Sequence, residues 1–188
     1  MFILAITPGT GLDEPQWKRM IDSGIDSFMI REPAMTPRSQ LAAARWVRSL
    51  APGLELWLNG RLDVALLSGC GLHAPETYPT VPERLLPLSR PIHQADQLME
   101  RLHVQQLILS PMFPVPGKGP AWGPGKLRAA LDALPGAPVR VLALGGVTPA
   151  NVASLRHPRL DGVALIRGLW SAPDPARAVA RIRAAWSS

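Results

Sequence analysis

The chain has 188 residues and a mass of 20.3 kDa, with 47% hydrophobic and 18% charged residues, which suits one domain with enough apolar side chain to bury a core and too little charge for intrinsic disorder. Apolar runs such as 2–6 and 107–109 stop far short of the roughly 20 residues that cross a bilayer; the N-terminus lacks a basic stretch with a cleavage signal, and the one cysteine, Cys70, excludes an intrachain disulfide framework, so a cytoplasmic protein is expected. The formal charge of +6 and pI near 10.7 come mostly from scattered arginines at helix-like positions (Arg38, Arg45, Arg177, Arg181) without interleaved aromatic residues, so the expected partner is a small anion and not nucleic acid.

In chain order, a strand is predicted over Phe2–Thr7, followed by a helix over Pro15–Ser23, where Trp17, Met20 and Ile21 repeat at helical spacing. A second strand covers Ser27–Arg31, and Thr36 with Pro37 gives an N-cap and first-turn proline for a helix reaching Leu50. Glu55–Leu58 leads through Asn59 and Gly60 into a helix over Arg61–Leu67, and Gly71–His73 is the shortest strand. Arg90–His93 then precedes a helix over Ala95–Leu102, and Gln105–Leu109 precedes a long loop and a helix near Lys126–Leu134. Val139–Leu144, ending in Gly145 and Gly146, precedes a helix over Thr148–Leu155, and Gly162–Ile166 precedes a final helix over Pro175–Trp186.

Eight alternating strand–helix units in one uninterrupted domain, 1–188, imply parallel strands, because a parallel neighbour needs a crossover. Eight such units close into a short (β/α)8 TIM barrel; a doubly wound open sheet is the alternative. Barrel chemistry belongs to the loops after the strands. The candidates are therefore Arg31 and Glu32, Asn59 and Arg61, His73, His93, Ser110–Lys118, Gly145 and Gly146, and Arg167 and Gly168. Arg31 and Glu32 read equally as a structural ion pair. The two glycines, followed by Thr148 as the cap of a helix, read as an anion cradle of exposed amides at a helix start, or as a tight turn. His93 carries the side chain suited to proton transfer at neutral pH, with His73 as second candidate; His103 and His157 lie away from the strand ends. The loop Ser110–Lys118, stiffened by prolines, reads as a lid whose Lys118 clamps an anion, or equally as a rigid surface loop with a solvated lysine. No cysteine–histidine spacing for zinc is visible.

Taken together, Met29–Glu32, Leu58–Ala65, Gly71–His73, Pro91–His93, Ser110–Pro114 with Lys118, Ala143–Val147 with Asn151, and Gly162–Leu169 resemble the thiamine-phosphate synthase and TenI family of short (β/α)8 barrels over nearly the whole chain. The family's synthases have aspartates that hold Mg²⁺ for pyrophosphate in an Asn-Asp pattern, here Asn59-Gly60, and in a Gly-Gln-Glu-Asp pattern, here Pro75–Tyr78 with Glu76 two positions early. The family lysine after Arg-Glu is Pro33, and two loop threonines correspond to Val115 and Gly117. The likeness therefore implies the TenI branch: a thiazole tautomerase, needing no metal or cofactor, that aromatises a carboxythiazole phosphate. It implies His93 as proton shuttle, amides near Gly145, Gly146 and Gly168 on the phosphate, and Arg31, Asn59 and Lys118 as anion partners. Arg167, where the family has serine, adds charge or blocks the site. An active synthase recruiting Glu76, joining thiazole phosphate to a pyrimidine pyrophosphate, and an inactive regulatory barrel binding a phosphorylated ligand are the alternatives. A homodimer is the base-rate expectation.

Overall fold

Short β-branched and leucine-rich runs alternate with segments of helical periodicity, and each strand buries both faces, as a parallel sheet covered by helices requires. A computed structural model describes residues 1–136 and 138–188, without the side chain of Glu83. The strands are β1 (Phe2–Ile6), β2 (Ser27–Ile30), β3 (Glu55–Asn59), β4 (Gly71–His73), β5 (Leu88–Ile92), β6 (Gln106–Leu109), β7 (Arg140–Leu144) and β8 (Gly162–Leu165). They are hydrogen-bonded in sequence order, all parallel, and β8 pairs with β1 through Phe2 opposite Gly162 to close the barrel. The open-sheet alternative is thereby set aside.

The helices are α1 (Glu14–Ile21), α2 (Pro37–Leu50), α3 (Leu62–Ser68), α4 (Asp96–Glu100), α5 (Gly123–Asp132), α6 (Arg167–Trp170) and α7 (Pro175–Ser187). Asp13, Thr36 and Asp174 begin α1, α2 and α7, each accepting a backbone N–H three residues on, with proline in the first turn. Several boundaries differ from the sequence expectation. β5 begins at Leu88, two residues before the expected Arg90, and ends at Ile92, so His93 lies just beyond the strand. The expected helix over Ala95–Leu102 contracts to α4, and the one over Thr148–Leu155 is a 3-10 turn of only Val152–Leu155. A 3-10 turn at Glu83–Leu85 and the four-residue α6 are additional.

Two apolar layers hold the barrel. Between strands and helices lies the larger, including Phe28, Leu58, Leu72, Ile92, Trp17 and Leu131. Inside, Leu4, Ile6, Met29, Trp57, Ile108, Leu142 and Ala164 fill the axis. Gly71 makes room for the Trp57 indole: a Cβ there would stand 2.4 Å from the ring. No helix among the described residues is long and apolar enough to cross a membrane.

Candidate active site

Side chains alternate across a strand, so the interior position of Met29, Trp57, Ile108 and Leu142 turns Arg31, Asn59, Ser110 and Leu144, two residues further along, toward the axis at the C-terminal mouth. His73 ends β4 and is paired in register with Asn59 on β3. Four expected residues thus converge: Arg31, Asn59, His73 and His93.

His93 is held by what surrounds it. Its Nδ1 lies 2.8 Å from the carbonyl oxygen of Ser110. A carbonyl can only accept, so Nδ1–H donates and the neutral ring presents its lone pair at Nε2. That nitrogen lies 3.9 Å from Oε2 of Glu76, and the imidazole is 46% exposed, within reach of a ligand. The His93 backbone N–H donates to Oε1 of Gln97 at 2.8 Å. Gln97 Nε2 in turn donates to Glu76 at 2.8 Å, and Arg101 grips both carboxylate oxygens at 2.7 and 3.2 Å. The guanidinium of Arg101 holds the Glu76 carboxyl below the usual carboxylate range. A fixed anion therefore stands beside the nitrogen that would take a proton.

The loop that anchors His93 also packs on the glycine pair. Met112 N–H donates to Leu144 O at 2.8 Å and Phe113 N–H to Gly145 O at 2.9 Å. Gly145 and Gly146 have φ of +100° and +67°, and a Cβ on Gly146 would stand 2.8 Å from Cβ of Phe113. Left-handed backbone and close packing both call for glycine here, as the tight-turn reading anticipates. Thr148 does not cap a helix, which corrects the expectation. Its N–H donates to Oδ1 of Asn151 at 2.8 Å, and Asn151 Nδ2 donates to Gly146 O at 2.9 Å. The backbone that follows β7 is therefore a turn and not a helix start. Gly168 lies within α6, its Cβ direction 3.6 Å from Val147 O, which brings it beside the glycine turn. Arg167 is exposed at the start of α6, and Lys118 is exposed on the loop between β6 and α5.

Arg31 and Glu32 do not form the ion pair offered as one reading of the sequence. The buried Glu32 carboxylate accepts the N–H groups of Gly9 (3.0 Å) and Gly11 (2.6 Å), and its carbonyl accepts from Gln40 Nε2 at 2.7 Å. It shapes the loop between β1 and α1, leaving Arg31 exposed at the mouth. Sequence reasoning missed this role, because the two glycines lie more than 20 residues away.

His73 is buried, and burial first, then the neighbouring basic groups of Arg90, Arg31 and His93, push its pKa down to about 3. It stays neutral throughout the physiological range.

A divalent ion does not fit the residues at the positions where the resemblance implies Mg²⁺ ligands. Gly60 offers no side chain, Glu76 is engaged by Arg101, and the Tyr78 hydroxyl accepts the Leu62 N–H at 3.2 Å. Hard cations need oxygen donors, carboxylates above all. Among the described residues no group of three acidic, histidine or cysteine side chains gathers to hold an ion.

The closed parallel barrel and the polar ring at its C-terminal mouth define a (β/α)8 barrel with its candidate site in the place such barrels use for chemistry. The chain belongs to the thiamine monophosphate synthase family, which matches residues 4–169. It is 32% identical over 177 residues to a thiamine-phosphate synthase of Albidiferax ferrireducens, covering 87% of this chain and 80% of that protein. It is 28% identical over 179 residues to the enzyme of the same name from Vibrio parahaemolyticus, covering 86% and 84%. The fold is similar to that of a thiamine phosphate pyrophosphorylase from Pyrococcus furiosus, with a TM-score of 0.84 and 18% identity over 99% of this chain and 95% of that one.

Proposed function

We propose that this barrel binds a phosphorylated carboxythiazole at its C-terminal mouth and aromatises it by proton transfer through His93. The observation that carries the reading is the orientation of one imidazole: Nδ1–H fixed on Ser110 O, and Nε2 exposed with the Glu76 carboxylate 3.9 Å away. Moving a proton from a ring carbon to an exocyclic carbon requires a group that accepts and returns it, and one histidine can serve both steps. The turn at Gly145 and Gly146, with Gly168 beside it, supports binding of the phosphate; Arg31, Asn59 and Lys118 are the polar partners for the remaining oxygens.

A second reading, the synthase reaction, is favoured by the names of the two relatives above, both thiamine-phosphate synthases. The residues oppose it: pyrophosphate departure calls for charge neutralisation, and the positions that would hold the ion carry Gly60 and an already paired Glu76. The two readings separate in one assay set. Purified protein is given the non-aromatic carboxythiazole phosphate in chelator, and separately thiazole phosphate with pyrimidine pyrophosphate in Mg²⁺. Aromatisation in the first and no thiamine phosphate in the second is the expected result; robust coupling in the second overturns the choice.

A further inference from the structure

A line of interior side chains in register across adjacent strands runs diagonally up the barrel wall: Arg140 on β7, Gln106 on β6, Ser89 on β5, His73 on β4 and Asn59 on β3. The first four are linked by hydrogen bonds, Arg140 Nη1 to Gln106 Oε1 at 3.3 Å, Gln106 Nε2 to Ser89 Oγ at 3.2 Å, and Ser89 Oγ to His73 Nδ1 at 2.9 Å. Arg140, at the first position of β7, is also anchored by Glu55 Oε1 at 2.5 Å.

The polarity of this chain follows from one fact: a guanidinium only donates. Gln106 must turn its oxygen to Arg140 and its amide nitrogen to Ser89. Ser89 is fully buried and already accepts from Gln106, and among the described residues His73 Nδ1 is the one acceptor for its hydroxyl hydrogen. Nδ1 therefore accepts, and the neutral ring carries its hydrogen on Nε2. Protonating Nδ1 would set two hydrogens against each other and require the chain to reverse, which Arg140 forbids. Nε2 has no partner among the described residues, yet it is not among the sealed polar atoms left unpaired, and the residue keeps 9% of its surface exposed. His73 is the last residue of β4, in register with Asn59, so its ring stands at the mouth end of the interior line.

We propose that His73 is a specificity-determining donor of the ligand site, its Nε2–H directed at an oxygen of the ligand's carboxylate and its orientation fixed from the far end of the barrel by Arg140, Gln106 and Ser89. This rests on the reading that a carboxythiazole phosphate occupies the mouth. A neutral N–H beside the cation of Arg31 suits an anionic oxygen, and a donor locked in one tautomer rejects a ligand that brings a hydrogen of its own to that point.

The test uses the whole chain and two probes, the aromatic carboxythiazole phosphate and the same thiazole phosphate without its carboxylate. His73→Asn keeps an acceptor for Ser89 at the Nδ1 position and lacks Nε2–H; His73→Gln restores a donor near Nε2. Losing a hydrogen bond to a charged group predicts that His73→Asn weakens the carboxylated probe about ten- to a hundredfold, with partial recovery in His73→Gln, while the other probe keeps its affinity. Equal weakening of both probes, or of neither, overturns the assignment while the proposed function stands. A parent protein that binds neither probe overturns the proposed function and the ligand assignment with it. Nitrogen-15 spectra of the parent imidazoles, with His73 identified by its absence in His73→Asn, read the tautomer independently of any ligand: hydrogen on Nε2 and none on Nδ1 at neutral pH is expected, and the reverse overturns the proposed orientation.

Discussion

Two histidines at neighbouring strand ends have opposite fates because of their acceptors and donors. His93 meets a carbonyl, which fixes its hydrogen on Nδ1; His73 meets a serine whose hydrogen is pointed at it, which fixes the hydrogen on Nε2. His73 also leaves a mark on stability. Its folded pKa of about 3 lies below the usual value near 6.5, so below pH 6.5 the unfolded chain binds a proton that the folded chain refuses. Its contribution is complete above pH 6.5 and is lost as pH falls toward 3, at about 1.4 kcal/mol per pH unit. Denaturant titrations at pH 6.5 and 5 should differ by about 2 kcal/mol from this group, and His73→Asn should flatten that difference; an unchanged slope in the variant would assign the loss to other groups. His93 was legible as a candidate from residue type and strand-end position alone. The role of His73 was not, because Ser89, Gln106 and Arg140 come from three other strands and only the barrel's register brings them into line.

At the scale of elements, the loop between β6 and α5 couples the site together: Ser110 O holds His93 while Met112 and Phe113 pack on the turn after β7. Glycine is needed unequally along this seam. Gly146→Ala forces a Cβ to 2.8 Å from Phe113 at positive φ, a combination expected to cost about 1–3 kcal/mol. Gly168→Ala meets nothing nearer than 3.6 Å and should leave stability within about 0.5 kcal/mol. Urea unfolding of the two variants compares them directly, and equal losses would contradict the packing account. The eight strand–helix alternations were readable from periodicity, and the Thr36–Pro37 start of α2 from its cap chemistry. The failures have local causes. Ser89 is polar yet fully buried, which obscured the true start of β5, and an Arg-Gly pair after β8 reads as loop although α6 forms there. Asn151 bonds back to Gly146 and Thr148, so the chain after β7 tightens into a 3-10 turn where helical periodicity suggested a full helix.

At the scale of the molecule, the barrel separates two demands. Its N-terminal end carries the Glu55–Arg140 pair that starts the interior hydrogen-bond chain, and its C-terminal mouth carries the exposed imidazole and the glycine turn. Family membership accounts for the architecture, and Gly60 with the Arg101-paired Glu76 sets apart the positions where the resemblance implies Mg²⁺ ligands. The most direct measurement is the rate at which the parent and His93→Asn aromatise the carboxythiazole phosphate tautomer in the presence of a chelator. Turnover by the parent and a loss of about 10²- to 10⁴-fold in the variant are expected. Equal rates in the two proteins, or a parent rate that arises only when Mg²⁺ is supplied, would contradict it.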